Sequence, residues 1–262
     1  MRHESFETPA GVVLDLEVAA GEIDVAAVAG AGETTVDLEP LGGDDADRTV
    51  AEARVETRPG RDDATELIVH VPEGRRFGVF RDSVEVRITV RCPEGAHLRA
   101  RAASADVRAH GRLAGLDVAT ASGDVEVEAV DGEVRAKTAS GDVRLGRIAG
   151  DARVRTASGD VAIGVAESSL EVATASGDLR IDEVASGRVT LKAASGDVRV
   201  GVRQGTGVWI DARSMSGDTT SELDLGVEPS GQEAGPTVEL EVSTMSGDVA
   251  IVRAAARAEL ER

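Results

Sequence analysis

The sequence predicts an all-β protein built as a single-stranded parallel β-helix, a β-solenoid with coils of about 18 residues. Three observations carry that expectation. Ser-Gly-Asp recurs at Ser122, Ser140, Ser158, Ser176, Ser195, Ser216 and Ser246, after a degenerate copy, Ser104-Ala105-Asp106. The intervals between the aspartates are 18, 18, 18, 18, 19, 21 and 30 residues, and a period near twenty means stacked similar units. Between the corners, apolar and charged residues alternate with period two. The interior positions are Val, Leu, Ile and Ala, in a chain with three Phe, one Trp and no Tyr.

Counting each aspartate as position zero, the apolar places are one, three, six, ten and twelve. They are Val125, Val127, Val130, Val134 and Ala136 in one copy and Val143, Leu145, Ile148, Ala152 and Val154 in the next. Arg144, Arg153 and Arg155 fall between them, the signature of strands with one dry face. A unit this short cannot bury a face alone. Stacked at ~4.8 Å, successive coils pair their backbones and merge their apolar columns into a thin core.

In chain order, residues 1–100 read as a β-rich N-terminal cap with irregular coils. Val12–Val18 and Gly21–Val25 are strand candidates, and an acidic loop at 42–47 separates them from Thr49–Thr57. Leu67-Ile68-Val69-His70-Val71-Pro72-Glu73-Gly74 is echoed by Ile88-Thr89-Val90-Arg91-Cys92-Pro93-Glu94-Gly95, each a strand ended by a proline-marked turn. Residues 101–252 read as the regular solenoid, with a loop inserted at 226–236 that is rich in Gly and Pro. The tail, 253–262, has helix-forming composition.

The corner has two readings. In one, Gly supplies a positive φ while Asp and Ser bond nearby amides. In the other, Asp124, Asp142, Asp160, Asp178 and Asp197 stack as a cation ladder. Repulsion between carboxylates ~4.8 Å apart is roughly 0.9 kcal/mol in water-like surroundings. An amide–carboxylate bond contributes roughly 1.5–3 kcal/mol, so the turn stands without a metal. The Thr-x-Ser pairs, Thr120 to Ser176, present two hydroxyl columns as ice-binding solenoids do. Parity points the threonines inward, where their hydroxyls are expected to bond between coils.

Two places invite a protein partner. Arg75, Arg76, Phe77, Phe80 and Arg81 form a basic, aromatic stretch in an otherwise acidic chain; the bland alternative folds the rings over the cap. Trp209 lies between Val208 and Ile210 on the outward phase. Met215 and Met245 replace the corner alanine, which suggests that those corners are packed against something. The outward column Arg108, Glu126, Arg144, Ala162, Arg180, Arg199 mixes signs and reads as a solvated face.

A net charge of −19 argues against nucleic acid, whose affinity comes from cationic side chains. The lone Cys92 implies no intrachain disulfide. Neither a leader core nor a run of 18 apolar residues is visible, so the expectation is a soluble, cytoplasmic protein, not inserted in a membrane and touching the envelope only through a partner. No catalytic or phosphate-binding motif occurs, and the four histidines share no spacing. A polysaccharide-cleaving cleft would want sugar-stacking rings that this chain hardly has. The expectation is no enzyme and no cofactor.

The strand Ser83–Val90 running into Cys92-Pro93-Glu94-Gly95, followed by seven Ser-Gly-Asp units, resembles the bacterial putative-adhesin family of β-strand-repeat proteins, a domain of unknown function. The resemblance spans residues 10–252 and implies a right-handed coil. It also implies ties to the cell envelope, some of them to envelope-stress signalling. The functional expectation is a non-enzymatic scaffold presenting an elongated surface to a protein partner, with a homo-oligomer left open. A surface adhesin or glycan binder is the second reading, and a polysaccharide-active enzyme the third.

Overall fold

The computed structural model describes residues 1–8, 11–43, 45–60, 64–72, 84–223 and 237–255. The chain is all-β, with one short helix among the described residues and coils stacked as a β-solenoid, and forms two compact units, Met1–Gly141 and Asp142–Arg262.

The first unit comprises β1 (Arg2–Glu7), β2 (Val12–Val28), β3 (Glu33–Gly42), α1 (Ala46–Glu52), β4 (Arg54–Pro59), β5 (Thr65–His70), β6 (Glu85–Pro93), β7 (Ala96–Ala119), β8 (Val125–Val130) and β9 (Val134–Lys137). The long strand β2 organises it. Its first half lies parallel between β5 and β7, and its second half between β6 and β7. The strands leading into the two Pro-Glu-Gly sequences, β5 and β6, thus lie along successive halves of β2. Inward columns follow the register: Leu14 sits beside Leu67 and Leu98, and Ile23 beside Ile88 and Val107, all buried. Each such Leu or Ile contributes roughly 1.5–3 kcal/mol by leaving water.

This unit closes with antiparallel pairs. β3 lies antiparallel on β6, β1 on β3, and β4 on β5. Charged residues on the outermost strands, such as Arg2, Glu4, Arg54 and Glu56, blunt edges that would otherwise recruit another strand. The passage read as an acidic loop followed by Thr49–Thr57 is instead helical over Ala46–Glu52. Arg48 pairs with Asp45 at 2.7 Å and Glu52 at 3.7 Å, while Thr49 and Val50 are buried. Helical i,i+3 and i,i+4 pairing and this small buried face override the loop-like composition.

The second unit comprises β10 (Val143–Ile148), β11 (Ala152–Arg155), β12 (Val161–Ala166), β13 (Leu170–Ser176), β14 (Leu179–Val184), β15 (Gly187–Ser195), β16 (Val198–Val202), β17 (Gly207–Ser216), β18 (Thr219–Ser221), β19 (Thr237–Ser246) and β20 (Val249–Arg253). Its described strands pair in parallel. One interior column runs Val143, Val161, Leu179, Val198, Val249. Another runs Val154, Val172, Leu191, Val242.

The stacking order departs from chain order at the end. β15 and β16 pair with β19 and β20, and only then do β17 and β18 follow. The coil written last in the sequence is therefore inside the stack, and the one before it is outermost among the described residues. The register explains how. Val202 aligns with Val184, and Val238 with Gly187, three residues after Val184. Subtracting the 33 residues 204–236 from the 51 between Asp197 and Asp248 leaves 18, the ordinary period. Residues 204–236 are an insertion in a regular coil, and that insertion carries an extra rung of its own.

Candidate functional site

The Ser-Gly-Asp corners form hydrogen-bonded ladders. In the first unit the Asp124 amide donates to Asp106 Oδ1 at 3.1 Å. In the second, Asp160 donates to Asp142 Oδ1 at 3.0 Å, Asp178 to Asp160 at 2.8 Å and Asp197 to Asp178 at 2.8 Å. The ladder continues in stacking order: Asp248 donates to Asp197 Oδ1, and Asp218 to Asp248 Oδ1, each at 2.8 Å. Running the other way, the amide of Gly177 donates to Ser195 O and that of Gly196 to Ser246 O, both at 3.0 Å. In the second unit the described corners from Asp160 to Asp248 are thus bonded to their neighbours in both directions. The corner needs glycine because a Cβ at Gly177 (φ +138°) would lie 2.1 Å from Gly159 O.

Beneath the corners run the threonines, and here the expectation of hydroxyls bonded between coils is corrected. Thr120, Thr138, Thr156 and Thr174 are buried as parity required. Yet the hydroxyls of Thr120, Thr138 and Thr156 have no hydrogen-bond partner. Thr174 Oγ1 donates within its own corner, to Ser176 O at 3.1 Å, and Thr244 Oγ1 lies 3.2 Å from Ser246 O in its own corner and 3.4 Å from Gly196 O of the neighbouring coil. The hydroxyls of Thr120 and Thr138 lie under their own glycines, as a Cβ built on Gly123 or Gly141 would lie 3.0 or 3.1 Å from them. Leaving a buried hydroxyl unpaired costs about 1–3 kcal/mol. Thr138→Val is therefore expected to raise unfolding free energy by about 1 kcal/mol in urea melts. A loss of stability would mean that the hydroxyl has a partner after all.

Outside, ion pairs link adjacent coils. Arg153 and Arg155 both reach Glu171, whose carboxyl is held below its usual range by hydrogen bonds to Arg155 and Arg153. Arg188 pairs with Glu239 at 2.7 Å. A groove of about 420 Å³ on the second unit is lined by Arg180, Asp182, Glu183, Arg199, Gly201 and Arg253, among others. Its charges are mixed: Arg180 bonds Asp182 at 2.7 Å, and Arg253 donates to the carbonyls of Arg203 and Thr206.

Trp209 is 55% exposed on the outermost coil, in the outward phase that alternation assigns it. Met215 and Met245 are 81% and 58% exposed, so the packing expected at those corners is corrected: these side chains stand in solvent. The stretch Arg75, Arg76, Phe77, Phe80 and Arg81 lies outside the described residues, as do the inserted loop 226–236 and most of the tail.

Among the described residues no three His, Cys, Asp or Glu side chains gather as metal ligands. His3 bonds Asp37 at 2.7 Å and His70 pairs with Glu17 at 3.1 Å, so two of the four histidines sit in separate surface pairs. Cys92 is fully buried, and burial pushes its thiol up to about 12. Only the thiolate reacts, so Cys92 is expected to resist thiol reagents at pH 8 until the protein unfolds. Because the folded pKa is raised, the thiol's contribution is intact below pH ~8.5 and fades as pH climbs toward 12. Stoichiometric labelling of the native protein would contradict this burial.

No helix among the described residues is long and apolar enough to cross a membrane. No curated protein matches the chain. Three solved structures resemble it at low identity. A putative cell adhesion protein from Clostridium sporogenes ATCC 15579 is 11% identical, covering 96% of this chain and 99% of that one, with a TM-score of 0.30. A putative adhesin from Bacteroides fragilis NCTC 9343 is 13% identical, covering 96% of both, with a TM-score of 0.39. A putative adhesin from Parabacteroides merdae ATCC 43184 is 9% identical, covering 95% of both, with a TM-score of 0.35. The Toastrack DUF4097 family model matches residues 45–252, most of the chain and all of its described Ser-Gly-Asp corners, and the protein belongs to that family.

Proposed function

We propose that the protein is a non-enzymatic scaffold whose stacked coils present a rigid surface to a protein partner, within an envelope-stress or regulatory system. One observation carries this reading. Corners clamped in both directions hold outward side chains at a fixed spacing of ~4.8 Å, so charge patterns such as Arg153–Glu171 and Arg188–Glu239 keep their geometry without a partner present. Recognition by a preformed surface avoids much of the ordering cost of binding. The corner aspartates are structural in this reading, since their carboxylates already accept backbone amides. Arg75, Arg76, Phe77, Phe80, Arg81 and Trp209 are the proposed contacts, and the proposed location is the cytoplasm, with any envelope contact made through the partner.

The test is cross-linking in host cells, comparing the native chain with Phe77→Ser/Phe80→Ser and Trp209→Ser variants, followed by fractionation. A specific protein adduct that weakens in either variant supports the scaffold. Binding confined to glycans on an array, or turnover of a polysaccharide, would replace it with one of the other two readings.

A further inference from the structure

We infer that the outermost coil is a self-complementary edge, which pairs with the same coil of a second copy of this chain. Among the described residues β17 pairs only with β19, on one side, so the ten residues Gly207–Ser216 carry a row of backbone groups facing away from the stack. Its neighbours in the interior columns are closed over, but Val208, Ile210 and Ala212 are only half-buried. The column that is dry at Leu191 and Val242 is thus open at Ala212, because no further coil among the described residues covers it.

The outward side chains show what fits. They are Trp209, Asp211, Arg213 and Met215, with Arg213 Nη2 2.6 Å from Asp211 Oδ2 in the same strand. An antiparallel pair related by a two-fold axis through Ala212 sets residue 211 opposite residue 213 of the other copy, and 209 opposite 215. Each Asp211 then faces the other copy's Arg213, and each exposed Met215 sulfur faces the other copy's indole. Sulfur–aromatic contact and opposite charges across strands are both favourable. On the inward side the same axis sets Ala212 against Ala212, Ile210 against the other copy's Ser214 and Val208 against its Ser216, so the half-buried Ala212 and Ile210 gain cover at the centre of the junction.

The same charges select the register. An axis through residue 211 or 213 would place Asp211 against Asp211, or Arg213 against Arg213. An axis between residues would set one copy's inward side chains beside the other's outward ones. Charged residues on an edge normally repel a second strand. Here they repel the two neighbouring in-phase registers, centred on residues 211 and 213, and favour the one centred on Ala212. No proline interrupts the stretch.

Charge exchange tests this, read by sedimentation velocity on the full chain over a wide range of concentration. The native protein is expected to form a dimer. Asp211→Arg and Arg213→Asp each create like-charge pairs at both symmetric positions and should weaken self-association by about tenfold or more. Mixed together, the two variants face each other with opposite charges, and the dimer should return as a heterodimer. Met215→Lys, at a side chain that is 81% exposed, gives an independent reading and should also weaken the dimer while leaving the melting curve unchanged. A native chain that stays monomeric, or single variants that dimerise as the native chain does, would overturn the inference. It stands apart from the scaffold reading: a monomer that still cross-links to another protein sinks only self-association.

Discussion

Gly177→Ala is expected to cost the protein about 3 kcal/mol or more, a large fraction of the ~5–15 kcal/mol that holds an ordinary domain folded. Two penalties act together. Gly177 has φ +138°, where an L side chain is strained, and the added Cβ would sit 2.1 Å from Gly159 O on the rung beneath. Relief would require the coils to separate, which breaks the Gly177 amide bond to Ser195 O and the adjoining bond from the Asp178 amide to Asp160 Oδ1. Gly205 supplies the control. It also has positive φ, +78°, but nothing lies within 4 Å of a Cβ there. Gly205→Ala should therefore cost only about 1 kcal/mol. Equal losses for the two variants, measured by urea denaturation, would mean that the corners are not in close contact.

Excising residues 204–236 is expected to leave a folded protein. The cut joins Arg203 to Thr237 and restores an 18-residue interval between Asp197 and the corner at Asp248, and β19 and β20 already lie on β15 and β16. What is lost is the outermost rung, whose inward residues are only half-buried, so a modest fall in melting temperature should accompany full retention of the strand signal. Removing residues 237–262 should do far more damage. It takes β19 and β20 from between two rungs and leaves β17 and β18 with nothing to pair with among the described strands. Strict chain-order stacking would reverse this pattern: loss of the last repeat would be mild, and excision of 204–236 would open the interior. Circular dichroism and cooperative melting of the two deletions decide between them.

The coil itself was legible in the residues because its causes are local. Val143 and Leu145 point inward for the same reason as Val161 and Ile163, period-two alternation after a glycine corner, and the structure sets them side by side. The swap of the last two rungs was not legible. Ser216-Gly217-Asp218 and Ser246-Gly247-Asp248 carry the same phase, so either could stack on Asp197; the choice depends on how residues 204–236 close the path, which alternation does not encode. The helix at Ala46–Glu52 was hidden by its Asp-rich start and by Thr49 and Val50, which favour strands in isolation. Burial of Thr138 followed from parity, whereas its missing partner follows from which way the corner aims the hydroxyl, a torsional detail that spacing cannot reveal.

At the candidate contacts, the outward phase of Trp209 was readable and its setting was not. Nothing in the spacing shows that its strand forms the outer edge of the stack, and it is that edge which turns Asp211, Arg213 and Met215 from ordinary surface residues into a complementary set. The exposed methionines mark the same gap. Met215 and Met245 looked like packing residues because Met usually fills apolar gaps, yet both project from the corner into water.

Disulfide trapping tests the stacking most directly. Ser195, Ser216 and Ser246 are exposed corner residues, with Ser195 in register with Ser246 and Ser216 also in register with Ser246. Neighbouring rungs hold such positions ~4.8 Å apart, within disulfide reach, and rungs two apart hold them ~9.6 Å apart, beyond it. Paired Ser195→Cys/Ser246→Cys and Ser216→Cys/Ser246→Cys variants should cross-link under mild oxidation, while Ser195→Cys/Ser216→Cys should not. Rapid closure of the Ser195→Cys/Ser216→Cys pair, with Ser195→Cys/Ser246→Cys left open, would place the rungs in chain order and contradict the stack described above.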